Sequence, residues 1–454
     1  MTSADNNTLD DDRIGRLLFK LALPSFLGMF VIALYNIVDT IFVGRYVGPL
    51  GIAGLSIVFP LQMLWLGIGQ LVGIGGASVI SRMIGGGRID RAERTLGNGL
   101  SLVLGLSAVT VAAGLADVDF WLRLMGASDT VLPYARDYMI IVIFGMFFQT
   151  MALAGNGLIR AEGNARVPML AMFIGGGANI GLDALFIIPL DMGIRGAALA
   201  TVVAQAASLA FILGYYLSGR SFLRLRAAHL RIELSILKAI AAIGIASFSR
   251  TLATSLSIVL MNNALVVHGG DLAVSAFGIV NRIIFFAIMP SITIAQGLQP
   301  VLGYNTGARR YDRALRAIKL AVAGATGICL LLFALVELLP QPIIGVFTED
   351  RELIALATHA ARLVFAGLAL VGFIMVGSLT FQAIGLAGRS FLTAIARPVL
   401  FLIPALLVLP HYLGLDGIWL VFPVSDLLTF LLTLALLLPQ LRRFRNLAAG
   451  QGRT

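Results

Sequence analysis

Asp39 falls in an otherwise apolar run, Leu34-Tyr35-Asn36-Ile37-Val38-Asp39. Tyr35 precedes it by four residues and shares its helical face, with Asn36 alongside. A second acid, Asp183, follows Asn179 at the same spacing in Gly175-Gly176-Gly177-Ala178-Asn179-Ile180-Gly181-Leu182-Asp183. Thr201 and Gln205 repeat that spacing once more. An ionisable group inside a hydrocarbon-spanning segment is costly, so each is a functional candidate by default. Two carboxylates, amides and a hydroxyl in a cavity of low dielectric can do either of two things. They can carry a proton, since neighbouring carboxylates share one readily. Or Asp39, Asn179, Asp183 and Thr201 can offer hard oxygen ligands to a small cation such as Na⁺. The bland alternative is that either acid lies near a helix end and is simply solvated.

The chain around these residues is a membrane protein. Apolar residues make up 59% of its 454 positions and charged ones 12%, against about 45–50% and 25% in a soluble domain. A spanning helix needs about 20 mostly apolar residues. Twelve such stretches are predicted, at roughly 16–43, 50–80, 94–115, 132–156, 166–188, 193–217, 236–262, 272–302, 314–336, 354–380, 390–409 and 414–438. The polar–apolar alternation of transmembrane strands is absent, so the fold class is an all-α polytopic membrane protein. The net charge of +10 reads as topology and contact with anionic lipid, not as a nucleic-acid surface. Arginines crowd the segments after spans two, six and eight and the C-terminus, whereas the opposite loops carry Asp117, Asp119, Asp129, Glu349, Asp350 and Glu352. Both termini are therefore expected in the cytoplasm, with the protein in the cytoplasmic (inner) membrane.

The chain also resembles itself at an offset of 221–222 residues. Arg88-Ile89-Asp90-Arg91-Ala92 returns as Arg310-Tyr311-Asp312-Arg313-Ala314, and Met192-Gly193-Ile194-Arg195-Gly196 as Leu413-Gly414-Leu415-Asp416-Gly417. Six spans per repeat leave both halves in one orientation, related by a pseudo-two-fold along the membrane normal. The expected organisation is a disordered cytoplasmic tail over 1–15, an N-lobe over 16–217 and a basic linker over 218–235. A C-lobe over 236–440 and a basic tail over 441–454 follow. Transporters place substrate near the midplane between such halves.

The halves differ in charge. At the repeat offset Asp39 meets Met261 and Asp183 meets Pro404, while Arg250 and Arg282 lie in spans seven and eight. The coupling site is therefore expected in the N-terminal half, with no coupling acid in the C-terminal one. Tyr35, Asn36, Gln205, Met146 and Arg250 are candidates for a substrate cavity, with Phe147, Phe148, Phe285 and Phe286 as further apolar lining. Pro24 and Pro290 are candidate helix kinks. No Gly-x-x-x-x-Gly-Lys-Ser/Thr loop occurs, so ATP does not drive the chain directly. The four histidines form no zinc pattern, and no cofactor is expected beyond the coupling ion.

Several motifs together carry a family resemblance. They are Leu23-Pro24, Tyr35-Asn36-Ile37-Val38-Asp39-Thr40 with Val43-Gly44, and Gly86-Gly87-Arg88. Further along come Ile159-Arg160-Ala161-Glu162-Gly163-Asn164, Gly196-Ala197-Ala198-Leu199-Ala200-Thr201 and Gln299-Pro300-Val301-Leu302-Gly303-Tyr304-Asn305. With these the chain resembles the multidrug and toxic compound extrusion (MATE) family over essentially all twelve spans. The resemblance implies two six-helix lobes and export of bulky, often cationic drugs in exchange for protons or sodium. It matches Asp39, Tyr35, Pro24, Asn179, Asp183 and Thr201 to the ion site of the branch that carries it in the N-lobe. Another branch uses acids in spans seven and ten, where this chain offers Arg250 and Gln382. The competing readings are a dedicated exporter or flippase of one metabolite or lipid-linked substrate, and a membrane enzyme or receptor. The short loops and the two-fold repeat weigh against the last. The expected partners are a small-molecule substrate and the bilayer, with no nucleic acid and a monomeric state.

Overall fold

A computed structural model describes residues 8–451. Regular structure among them is entirely helical. Six spanning helices fill the first half: α1 (Ile14–Tyr46), α2 (Pro49–Gly85), α3 (Ile89–Ala116), α4 (Leu132–Ala161), α5 (Arg166–Ile187) and α6 (Gly193–Leu217). The next helical run, Leu234–Gly307, has 74 residues. At 1.5 Å per residue that is about 110 Å, far more than the roughly 30 Å of hydrocarbon. It breaks at Gly270, whose φ of 61° and ψ of −161° are non-helical, and is two spans: α7 over 234–269 and α8 over 271–307. A second long run breaks in the same way at Gly414, with φ 58°. α9 is Tyr311–Leu338. α10 is bent by 47° between Arg351–Phe365 and Leu368–Ala383. α11 covers 387–413, including a π-helical turn at Ala396–Leu402, and α12 covers 415–451. Besides the short helices Val118–Leu124 and Pro340–Gly345, the described residues thus supply twelve helices for the spans, the expected number.

The repeat is written in the backbone. Left-handed residues recur at the sequence offset: Gly48 (φ 92°) with Gly270 (61°), Gly87 (72°) with Arg309 (60°), Gly163 (85°) with Gly385 (83°), and Gly193 (55°) with Gly414 (58°). Local signals set several helix starts. Asn164 Oδ1 accepts from the amides of Arg166 and Val167 at 3.1 and 3.2 Å and caps α5. Asp350 does the same for α10, accepting from Glu352 and Leu353.

The chain divides into two compact units. Among the described residues, one comprises 8–10 and 23–251; the other comprises 11–22 and 252–451. Small residues explain why the first half of α7 belongs with the N-terminal unit. A Cβ on Gly244 would fall 2.0 Å from the Leu71 carbonyl, and one on Gly75 2.2 Å from that of Ile240, so α2 and α7 meet backbone to backbone. The start of α1 belongs with the C-terminal unit, where Arg313 binds the Asp12 carboxylate at 2.8 Å and Gly297 lies against Ala22. α1 passes from one unit to the other at Leu23-Pro24. Pro24 leaves the carbonyl four residues before it without its helical donor.

The N-terminal segment differs from expectation. Residues 1–7 of the expected tail lie outside the described residues, but Thr8–Asp10 form a helical turn whose Leu9 is fully buried beside Gly163. At the other end α12 runs helical to Gln451, through most of the segment expected as a basic tail. The expected linker is clamped to α3: Asn98 donates to the carbonyls of His229 and Arg231 and accepts from the Glu233 amide at 2.7 Å. The N-terminal core packs Trp65, Tyr138, Met139 and Met146; the C-terminal core packs Phe277, Trp419 and Phe422.

Candidate functional site

The N-terminal unit brings α1, α5 and α6 together around its acids. Glycine makes this possible: a Cβ on Gly176 would lie 2.7 Å from Val31 Cγ1 and 3.3 Å from Tyr35 Cδ1, so α1 seats directly on the bare backbone of α5. Gly175, one residue earlier, faces Ser208 and Ala204 of α6 instead. Asp39 and Asp183 arrive within hydrogen-bonding reach of each other. Such a contact needs one proton between them, because two ionised carboxylates offer no donor. Beside them Asn179 Nδ2 donates to Thr201 Oγ1 at 3.4 Å, and Thr201 donates to the Ala197 carbonyl at 3.1 Å. Tyr35 lies close to Asn36 and Gln205.

The site is rich in acceptors and poor in donors. Asp183 is fully buried, Asn179 2% and Thr201 9% exposed, and Asp39 is half-buried. Apart from the carboxyl–carboxyl contact, no donor among the described residues reaches Asp39 Oδ1, either oxygen of Asp183 or Asn179 Oδ1. Buried acceptors left so are expensive. A proton removes part of that cost, and a small cation accepting four oxygens removes more of it. The residues present therefore fit either ion.

Met146 packs with Trp65, Tyr138 and Ile143 in the core. Phe147 and Phe148 line an apolar groove of about 450 Å³ with Phe144, Val111 and Leu115. Arg250 is half-buried in the same unit as the acids, and Arg282, in the other unit, is exposed. Pro290 sits inside an unbroken helix.

Sequence reasoning missed three residues. Tyr138 of α4 is buried close to Asp39, Tyr35 and Asp183, with Gln62 of α2 beside it. Nothing in the α4 sequence marks it, since its role comes from α1 and α5 packing nearby. Asp426 of α12 is 2% exposed and ion-paired with Arg397 of α11. The reasoning that singles out Asp39, an acid within a span, applies equally to Asp426. Outside the spans, the buried Glu162 accepts from the Ser221 hydroxyl at 2.8 Å and the Phe222 amide at 3.0 Å. Burial pushes its carboxyl up to about 8.

Two stretches, residues 24–185 and 246–407, match the MatE family, one in each repeat. The multidrug export protein MepA of Staphylococcus aureus (strain NCTC 8325 / PS 47) is 24% identical over 405 residues, 89% of each chain. The FAD transporter of Shewanella oneidensis is 26% identical over 432 residues, 93% of this chain and 94% of its own. Among solved structures, the MATE multidrug transporter DinF-BH is 38% identical, with a TM-score of 0.90 over 99% of both chains. The outward-facing conformation of a multidrug resistance MATE family transporter of the MOP superfamily is 27% identical, with a TM-score of 0.92 over 98% of this chain and 100% of its own.

Proposed function

The chain belongs to the MATE family of multi-pass membrane transporters, and from that premise we propose that it exports bulky, often cationic organic compounds in exchange for H⁺ or Na⁺. The observation that carries the coupling is the donor-poor cluster of Asp39, Asp183, Asn179 and Thr201. Its oxygens take either a cation or a proton, and an organic cation competes for the same negative charge. An antiporter must not carry both ligands together, and this competition prevents it. Linkage makes the effect reciprocal: whatever factor the ion takes from drug affinity, the drug takes from ion affinity.

α1 is the element that transmits occupancy. It carries Tyr35 and Asp39 into the site and changes unit at Pro24, where its hydrogen-bond ladder is already interrupted. Neutralising Asp39 alters what holds α1 against α5 at Gly176. Bending at Pro24 then accompanies alternating access between the two faces of the cytoplasmic membrane. The arginine-rich loops support cytoplasmic termini. The protein acts as a monomer and needs no resident cofactor. Export of one dedicated metabolite is the second reading, favoured by the FAD transporter among the relatives.

The test is dye efflux from reconstituted vesicles, driven in turn by an imposed pH gradient and an imposed sodium gradient. One gradient should drive efflux of the cationic dye rhodamine 6G, and Asp39→Asn should abolish that drive. Export that follows neither gradient would remove the coupling assignment.

A further inference from the structure

Arg397 lies ten residues into α11, which begins at Ala387. That is about 15 Å along the helix, near the middle of the hydrocarbon. A guanidinium facing lipid at that depth is strongly disfavoured. Its Nε is held by Oδ1 of Asp426, while neither terminal nitrogen has a partner among the described residues. Asp426 is sealed, its side chain 3% exposed, but the Arg397 side chain keeps 25% of its surface open. Glycine again permits the arrangement: a Cβ on Gly367 of α10 would sit 2.7 Å from Asp426 Oδ2. The π-helical turn at Ala396–Leu402 reshapes α11 at this point, and such turns gather at functional sites.

The repeat shows that this helix contact does not require the pair. The two matched stretches begin 222 residues apart, at 24 and 246. By that offset Arg397 and Asp426 stand where Gly175 and Ala204 stand in the N-terminal half. Those two make an ordinary small-residue contact between α5 and α6, 3.6 Å from a Gly175 Cβ to the Ala204 carbonyl. The register is right, since Tyr35 meets Gly176 and the equivalent Ser257 bonds the carbonyl of the equivalent Pro398 at 3.1 Å. A helix contact that glycine and alanine satisfy in one half is made in the other by a charged pair with one open end. Packing alone does not call for it.

We propose that Arg397 is an anion subsite of the C-terminal unit, taking a carboxylate or phosphate group of a transported molecule on its terminal nitrogens while Asp426 fixes the guanidinium by Nε. The guanidinium fork suits that chemistry, and a charge-assisted pair at this depth is worth about tenfold to a hundredfold in affinity. Asp426 is a positioning residue that also tempers the site, because its charge opposes the incoming anion. The subsite extends the substrates beyond simple cations to amphoteric or anionic ones, and it belongs to the C-terminal unit, whereas the carboxylate cluster belongs to the N-terminal one.

Binding of two xanthene dyes of opposite charge, fluorescein and rhodamine 6G, to the purified full-length protein in detergent tests this. Fluorescein should bind the wild type. Arg397→Gln/Asp426→Asn, a neutral pair that leaves no unpaired buried charge, should weaken fluorescein at least about tenfold and leave rhodamine 6G within about twofold. Asp426→Asn alone should tighten fluorescein, because the opposing charge is gone. A purely structural ion pair predicts otherwise: the neutral double variant binds both dyes as the wild type does, and Asp426→Asn loosens both. Either of those results, or a wild type blind to fluorescein, overturns the assignment. Failure of rhodamine 6G to bind would instead count against the cation-export reading and leave the fluorescein comparison intact.

Discussion

Gly176→Ala puts one methyl group into the contact that builds the carboxylate cluster. The new Cβ would lie 2.7 Å from Val31 Cγ1 and 3.3 Å from Tyr35 Cδ1, and both neighbours belong to α1. Val31 is β-branched with little rotamer freedom in a helix, so α1 itself must move by several tenths of an ångström. Overpacking of this size costs about 1–3 kcal/mol. Spread over the equilibrium between α1 seated on α5 and α1 displaced, that is roughly 5- to 150-fold against the seated form. Asp39 and Tyr35 move with α1, so ion-driven efflux of rhodamine 6G in vesicles should fall by a factor in this range. Neighbouring glycines are the controls. A Cβ on Gly177 meets nothing within 4 Å, and one on Gly175 meets only ordinary contacts from 3.4 Å outward. Gly177→Ala should transport normally and Gly175→Ala nearly so. Val31→Ala removes the nearest clashing atom, so Gly176→Ala/Val31→Ala should recover most of the loss, a coupling visible in a double-mutant cycle. If Gly176→Ala transports as the wild type, or Gly177→Ala is equally impaired, the seating of α1 on α5 does not position the site.

Asp39→Asn keeps shape and removes the titrating group, so coupled efflux should vanish while expression and thermal stability stay close to wild type; an unstable variant would instead mark a structural aspartate. Neutralising Glu337 or Asp416 should barely change transport, since Glu337 only pairs with Arg362 and Asp416 with His359 in exposed positions; a loss like that of Asp39→Asn would put coupling chemistry in the C-terminal unit. Glu162, at about 8 when folded against 4.5 for a free glutamate, takes up a proton on folding between those values. Stability of the purified protein should therefore decline as pH rises from about 4.5 to about 8 and level off above, and Glu162→Gln should flatten that slope, as a thermal-melting series across pH will show.

The number and order of spans were legible because the hydrocarbon core imposes one simple length on every helix. The acids of the N-terminal cluster were legible for a related reason: Asp39 and Asp183 are costly wherever they sit in a span, so their presence alone carried meaning. Their meeting was only suggested, through Gly175-Gly176-Gly177. The sequence treats these three glycines alike, yet Gly176 faces α1, Gly175 faces α6 and Gly177 faces open space. Which one makes the approach depends on the rotation of α5 about its axis, and a helix apolar nearly all round has no polar stripe to reveal that rotation. Tyr138 and Gln62 were hidden for the same reason. The membership of 11–22 and 234–251 was hidden because unit boundaries cut through helices, where composition does not change.

Asp426 shows how a repeat can mislead as well as guide. At the positions of Asp39 and Asp183 the C-terminal half holds Met261 and Pro404, and beside Arg250 and Arg282 its spans are expected to carry no coupling acid. Its charged pair stands instead where the N-terminal half holds Gly175 and Ala204, positions with no chemistry to draw the eye. Both halves keep the same helix contacts and use them differently. The N-terminal half uses small residues, Gly175 and Ala204, where α5 meets α6. The C-terminal half fills the corresponding α11–α12 contact with an arginine and an aspartate, and Gly367 of α10 gives the aspartate room. Helix packing in lipid tolerates either solution, because close approach and an internal ion pair both satisfy the contact without exposing charge to hydrocarbon. A shared backbone pattern, visible in the matched left-handed residues, therefore leaves the two units free to carry different chemistry.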